Sequence, residues 1–593
     1  MPNFDDIEDI TGSSHPIIKP INRIAAVLHI TNFEDRNDFI KQFNILQRRH
    51  KHFCKKSEVL IEYKKYCKDN NLIQREDLTN FLLKRRIRSS SGVIVNTVFT
   101  APNPKYTDPN GKEITQRFSC SENCSFCPAE PGQPRSYVKD GPSTKRANEN
   151  DFDPVKQFRN RLFSLKECGH VIDKIEVIVL GGTWSCYPME YRDWFCKMLF
   201  YSANTLDIEY EDLRDPFTLE DEQRINESSR YHIIGLTIET RPDYINLEEI
   251  ISYRRQGVTR VQIGIQHTDD EVLDANNRNC NQQDIINGLR LLKDSNYKVD
   301  IHIMLDLYKS SPEKDREMIK TILTNSDYFA HQIKLYPMYI AKWTLIKQLY
   351  ERGEFIPQAK QDIINNIIYF LQNCQIWWRI NRIGRDIPSK NKEGTQYLYG
   401  EVKDLDLRAK VDKIMEENYA KDPKYRMCKD IRAREPGWDN EHKKDDVMIF
   451  DTKYKANGAT EYFISIESQD REIIFGFLRL RLTTTTTLKA LKGCALIQEL
   501  HVYGPVKEVF AESNYKSSQH YGFGKKLMRY AEYISFINGY NKISVISGVG
   551  VRNYYRKLGY ELKDTFMVKT LVDIQMISII LFIFIAIVYN FFV

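Results

Sequence analysis

Six short apolar runs, at 92–99, 175–180, 233–238, 261–265, 299–305 and 334–337, alternate with charged segments of helical character. Runs of this kind, separated by enough chain for a helix, are buried most readily as neighbouring parallel strands with the helices packed outside. The stretch therefore predicts repeated βα units around a parallel sheet. At 593 residues the chain is too long for one core, and about 100 to 200 residues per domain predicts three or four units. The parallel sheet is assigned to 91–375. A linker follows at 376–445, mostly charged helix over 394–434, after a helix at 358–372. A smaller α+β domain spans 446–571, with strands at 460–466, 473–482, 495–502 and 542–547 and a helix opening near Gly524. The run of five threonines at 483–487 reads as a hairpin loop. Residues 1–90 complete the chain: the first fifty are polar and rich in Asp and Asn, a mobile leader with some helix, and 45–88 is helical and basic.

The net charge of +6 is too small over this length to prove a polyanionic partner. Local clusters decide more. Arg48, Arg49, Lys51, Lys55, Lys56, Lys64, Lys65, Lys68, Lys84, Arg85, Arg86 and Arg88 offer a surface for phosphates, and a solvated helix face explains them equally well.

Twelve cysteines and no apolar leader point to a reducing compartment, where clustered thiols are ligands before they are disulfides. Nine are scattered and read as packing. The other three, Cys120, Cys124 and Cys127, lie in FSCSENCSFCP at 118–128. A Cys-x3-Cys-x2-Cys loop binds three irons of a [4Fe-4S] cluster and leaves the fourth open. That iron can chelate S-adenosylmethionine (SAM), whose reductive cleavage yields a 5′-deoxyadenosyl radical. A zinc knuckle would need a fourth ligand, and His170, the nearest histidine, lies too far along the chain. The glycines of Gly181-Gly182-Thr183, after the second strand, let backbone approach a ligand closely. Together these features predict a radical SAM partial (βα) barrel.

A second centre is written in QHYGFG at 519–524, which matches the Gln/Arg-x-x-Gly-x-Gly/Ala loop of GNAT-type acetyltransferases. Amides of Gln519, Gly522, Phe523 and Gly524 would meet the pyrophosphate of acetyl-CoA at a helix N-terminus. The strand Glu499, Leu500, His501, Val502 would hold the pantetheine arm. A hydroxyl of Tyr554 or Tyr555 would reach the thioester sulfur. Residues 574–593 carry no charged side chain and are long enough, as a helix of about 30 Å, to cross a bilayer. They predict a transmembrane tail anchor on an intracellular protein, with its catalytic domains facing the cytosol.

With both centres in this order, the sequence resembles the catalytic subunit of the Elongator complex over about 86–571. The resemblance rests on IRSSSG (87–92), DPVKQFRNRL (153–162), GHVIDKIEVIVLGGT (169–183), TIETRPDY (237–244), KLYP (334–337), RDIPS (385–389), ELHVYG (499–504) and SGVGVRNYYRKLGY (547–560). It implies modification of the wobble uridine of tRNA: the deoxyadenosyl radical generates an acetyl radical from acetyl-CoA, which attacks C5 and leads to 5-carboxymethyluridine. It also implies acetyl-CoA contacts from Lys174, Glu499 to Val502, Phe523 to Lys525 and Tyr555. Lys334 and Tyr336 would face a shared catalytic cleft, and other Elongator-like subunits would be partners. Eukaryotic relatives have a longer gap between the first two cysteines. Many prokaryotic relatives carry several linker cysteines where this chain keeps only Cys428, so no second metal is expected there. The tail is an addition to the family pattern. Two alternatives compete, a protein lysine acetyltransferase and a non-catalytic tRNA-binding scaffold. The intact cysteine loop and QHYGFG argue against the second.

Overall fold

The computed structural model describes residues 20–82, 92–391, 393–404, 406–436, 447–503 and 522–571. The chain divides into two compact units, 1–88 with 160–172, and 89–159 with 173–593.

In the first unit, helices α1 (Pro20–Ile30), α2 (Arg36–Arg49), α3 (Lys56–Asp69) and α4 (Glu76–Leu82) share one core of Ile24, Leu28, Phe39, Phe43, Leu60, Tyr63 and Leu78. This corrects the expectation of a mobile leader for residues 20–49. The buried residues of α1 and α2 join those of α3 and α4 in that core, and Asp35 caps α2 by accepting from the Asp38 amide at 2.8 Å. Residues 1–19 lie outside the described ones. Arg48, Arg49, Lys51, Lys65 and Lys68 are exposed on this unit.

The second unit holds the parallel sheet. Its seven strands, β1 (Ile94–Phe99), β2 (Lys174–Leu180), β3 (His232–Thr240), β4 (Arg260–Gln266), β5 (Lys298–Leu305), β6 (Gln332–Pro337) and β7 (Arg379–Ile383), neighbour one another in chain order. Every pairing is parallel. The central strands β4 and β5 are buried along nearly their whole length, as a sheet covered on both faces requires. β7 was not anticipated because its RINRI sequence alternates arginine with isoleucine and lacks a continuous apolar run.

A second seven-stranded sheet follows: β8 (Val447–Ala456), β9 (Ala459–Ser468), β10 (Ile474–Leu482), β11 (Cys494–Val502), β12 (Lys542–Val545), β13 (Glu561–Lys563) and β14 (Phe566–Thr570), in the order β8-β9-β10-β11-β12-β14-β13. Only β11 and β12 pair in parallel, and only over Cys494 to Ile497. Residues 498–502 then leave β12, while a bulge between Arg479 and Leu480 shifts their register against β10. Helix α5 (Phe523–Ile537) packs Phe523, Leu527, Met528, Ala531 and Ile534 onto this sheet.

The two sheets meet through buried polar contacts. Arg481 Nη2 pairs with Asp294 Oδ1 at 2.6 Å, Gln498 Oε1 lies 2.9 Å from His331 Nε2, and Arg552 Nη1 pairs with Glu227 Oε1 at 2.9 Å. SGVGV is a docking surface: a Cβ on Gly548 would stand 2.0 Å from the Ile234 carbonyl oxygen, and one on Gly550 2.6 Å from His232 Cβ.

The expected transmembrane helix and tail-anchored localisation are corrected. A span takes about 20 residues, the 16-residue helix Met189–Asn204 is long but carries charge, and no helix among the described residues is long and apolar enough to cross a membrane. Residues 574–593 lie outside the described ones. The fold class is a parallel βα half-barrel followed by a mixed sheet domain.

Candidate functional site

The cysteine loop is held at the carboxyl end of the parallel sheet. Gly181 and Gly182, at φ +127° and +132°, let it come close: a Cβ on the first would stand 2.2 Å from Thr100 Oγ1, and one on the second 2.2 Å from the Ser119 carbonyl oxygen. The glycine pair thus seats the end of β1 and the start of the loop against β2. Gln157 completes the junction. Its amide accepts from Phe99 N at 2.9 Å and donates to Phe99 O at 3.0 Å, terminating β1 with a side chain in place of a strand.

Cys120, Cys124 and Cys127 line one cavity with Gly182, Thr183, Glu239, Arg241, His302, Lys334 and Tyr336. Arg241 and Arg278 each donate an Nη1–H to Cys124 Sγ at 3.6 Å, and Arg241 is itself held by Asp243 at 3.0 Å. The Cys127 thiol, then these guanidiniums, bring Cys124 down to about 5, within thiolate range at neutral pH. The hydrogen bond to Cys124 and burial push Cys127 up. Cys120 lies 3.1 Å from Thr183 Oγ1, and its hydrogen bond with Cys186 raises it. Among the described residues no three His, Cys, Asp or Glu side chains form a ready-made metal group. The donor set still suits an iron-sulfur cluster: three thiols on one short loop, opening into one cavity, beside buried cations that offset negative sulfur.

A larger cavity, of about 770 Å³, opens between the inner face of the parallel sheet and β11. It is lined by Lys174, Glu499, Leu500, His501, Val502, Gly524, Tyr554 and Tyr555, among others. The divergence of β11 from β12 exposes the 498–502 backbone to it. Gly524 admits the Tyr554 hydroxyl over the first turn of α5, since a Cβ there would stand 2.7 Å from that oxygen. Tyr555 is buried in the core of the second sheet, and burial raises both phenols. Glu499 is paired with Lys298 and with Arg479, the latter at 2.8 Å. Burial opposes its charge, and these cations outweigh burial, holding it at about 2.

Lys334 lines both cavities, as do Leu180, Ser143 and Arg382. Its Nζ donates to Gln262 Oε1 at 2.6 Å, and burial lowers it to about 8. Of the residues singled out in the sequence, Gly181, Gly522, Phe523 and Lys525 line neither cavity. Gly181 packs under Thr100, Phe523 lies in the core, and Lys525 is exposed. Gln519 lies outside the described residues. Sequence reasoning missed Cys186, whose thiol meets Cys120 and Ser121. It also missed Arg241, Arg278, Glu239 and His302. Glu239 and Arg241 stand in TIETRPDY, the signal that could have found them.

Residues 118–322 match the Radical SAM superfamily, and 330–417 match the Radical_SAM C-terminal domain. The parallel half-barrel with its cysteine loop therefore places the chain among radical SAM proteins. It is 36% identical over 84% of its length to a tRNA uridine(34) acetyltransferase of Methanocaldococcus infernus, covering 89% of that protein. It is 34% identical to Elongator complex protein 3 of Homo sapiens, over 84% of the chain and 87% of the relative. A solved structure of the archaeal Methanocaldococcus infernus Elp3, lacking its N-terminal residues 1–46, superposes with a TM-score of 0.67 at 33% identity, covering 81% of this chain and all of that one. The chain belongs to the family of Elongator complex protein 3 and the tRNA uridine(34) acetyltransferases.

Proposed function

We propose that this chain is a tRNA-modifying acyltransferase that joins the methyl carbon of acetyl-CoA to C5 of the wobble uridine and releases 5-carboxymethyluridine. The observation that carries the reading is Lys334, shared by a cavity lined with three thiols and a cavity lined by a splayed strand and a helix N-terminus. Two chemistries that must act on one molecule need such continuity. The names of the relatives support the substrate, a tRNA uridine at position 34.

In this reading Cys120, Cys124 and Cys127 hold a [4Fe-4S] cluster, and Gly182 and Thr183 border SAM. When bound, these groups supply a carbon radical able to take hydrogen from an unactivated methyl. The chain's own residues do the rest. Arg241 and Arg278 neutralise the thiolates. Lys174 and Glu499 to Val502 grip acetyl-CoA, with Gln519, Gly522 to Lys525 and Tyr555 on its phosphate and thioester ends. Tyr554 offers a hydroxyl to sulfur. Lys334 and Tyr336 orient the acetyl group at the junction. The domains are 91–375, 376–445 and 446–571, and the basic helical region within 1–90 tracks tRNA phosphates. Other Elongator-like subunits are the protein partners.

The test is anaerobic incubation with tRNA, SAM, reductant and acetyl-CoA, followed by mass spectrometry of digested nucleosides. 5-Carboxymethyluridine should appear with the native chain and vanish in Cys124→Ala. Its absence from a sample with a loaded cluster would contradict the reading. Acetylated lysine in its place would favour protein acetylation.

A further inference from the structure

His302 belongs neither to the thiol set nor to the acetyl-CoA residues, yet it has the arrangement of a working base. It stands in β5, buried, and lines the cysteine cavity beside Lys334. Its Nδ1 lies 3.5 Å from Glu239 Oε1, and the other Glu239 oxygen accepts from the Tyr137 hydroxyl at 3.1 Å. Its ring meets Tyr336 edge-on, with centroids 5.8 Å apart. Nε2 is buried and has no hydrogen-bond partner among the described residues. A carboxylate that fixes an imidazole through Nδ1–H leaves Nε2 as the free lone pair.

The other charged groups facing His302 are Lys334 and Asp300. Burial and then Lys334 lower its proton affinity, against the opposing pull of Glu239 and Asp300. The ring is therefore neutral near pH 7 and able to accept a proton. Its neighbours are less suited to the task. Lys334 Nζ is engaged by Gln262, and burial keeps the Tyr336 hydroxyl protonated.

The proposed reaction has a step that none of the assigned residues performs. Joining the acetyl methyl carbon to C5 leaves a CoA thioester on the base, and 5-carboxymethyluridine is the free acid. We propose that His302, oriented by Glu239, is the general base and acid that hydrolyses this thioester, an inference that rests on the function proposed above. Nε2 takes a proton from water as its oxygen adds to the thioester carbonyl carbon. The C–S bond then breaks with its electron pair on sulfur, and Nε2–H returns the proton to sulfur. Water and thioester enter, carboxylic acid and CoA thiol leave, and no electron is gained or lost.

The first arm of the test follows tRNA products of native protein, His302→Asn, His302→Gln and Glu239→Gln by mass spectrometry, after thermal melts show which variants are folded. The native chain should give carboxymethyluridine. The folded His302 variants should carry the uncleaved CoA thioester on uridine, with carboxymethyluridine lower by about 10²-fold. Glu239→Gln should shift the same ratio less. Carboxymethyluridine at the native rate from a folded His302 variant, or neither product from it, would overturn the assignment. If the native chain itself forms neither product, the parent reading has failed and this one falls with it.

The second arm needs no loaded enzyme. Cofactor-free protein is treated with diethyl pyrocarbonate, with and without acetyl-CoA, and digested for peptide mass spectrometry. His302 should be modified at its free nitrogen and protected by acetyl-CoA. Modification that acetyl-CoA leaves unchanged, or no modification at all, would remove His302 from the thioester's path.

Discussion

The two cavities are built by opposite means. The cysteine cavity draws its three thiols from one eight-residue stretch, 120–127, and braces them with arginines from loops distant in sequence. The larger cavity takes its lining from β2, β11, the first turn of α5 and the 546–555 segment, so it exists only while the two sheets stay docked. A local loop can lose one thiol and leave the fold intact. A cavity made by docking is lost when the docking surface is altered.

The largest contrast should come from one substitution in each. Cys124→Ala should abolish iron loading and SAM cleavage with a thermal midpoint close to native, read by iron content, deoxyadenosine yield and calorimetry. Gly548→Ala should do the reverse, since its Cβ would meet backbone at Ile234 and not a movable side chain. We expect a loss of about 3 kcal/mol in denaturant unfolding and weakened acetyl-CoA binding, with iron still loaded. Gly111→Ala, where a Cβ meets nothing within 4 Å but φ is +83°, should cost about 1 to 2 kcal/mol.

Next in size is the charge cluster behind the larger cavity. The Glu499 carboxylate is held near 2, below its usual value of 4.5. Its contribution is therefore present above about pH 4.5 and lost as pH falls toward 2. Glu499→Gln should flatten that acid limb and destabilise the chain by about 2 kcal/mol at pH 7, because Lys298 and Arg479 lose their buried partner.

The smallest effect is expected beside the parallel sheet, at Asp306. Burial, with Asp315 adding to it, raises this carboxyl to about 8, against a hydrogen bond from the Gln358 amide. A raised value means the stabilising form is protonated, so stability falls as pH climbs above the unfolded value of 3.8, and the loss is complete near 8. Asp306→Asn should shift the melting temperature upward by a few degrees at pH 9 relative to native, by about half as much at pH 6, and hardly at all below about pH 4.

The same contrast explains how much could be read from the chain alone. Strands β1 to β6 were legible because a sheet buried on both faces writes continuous apolar runs. The edge strand β8 was not, since Asp451, Lys453 and Lys455 interrupt its apolar residues, and β13 spans only Glu561–Lys563. The cysteine loop was legible because its three thiols are close in sequence. Arg278 and His302 were not, because only the closing of the half-barrel brings them to it. The glycine pair 181–182 was singled out for close approach to a ligand. Its immediate physical task is seating the loop against Thr100 and Ser119. In 20–49, the polar and Asn-rich stretches looked like a leader, whereas the apolar residues between them join one core with α3 and α4.

The central claim is that the two cavities act on one acetyl group. It is tested most directly with acetyl-CoA deuterated at the methyl carbon, tRNA, SAM and reductant, by measuring deuterium in the 5′-deoxyadenosine released. One deuterium per deoxyadenosine, dependent on Tyr554, Tyr555 or Lys174, is the predicted result. Deoxyadenosine free of deuterium, formed while carboxymethyluridine accumulates, would contradict a shared reaction chamber.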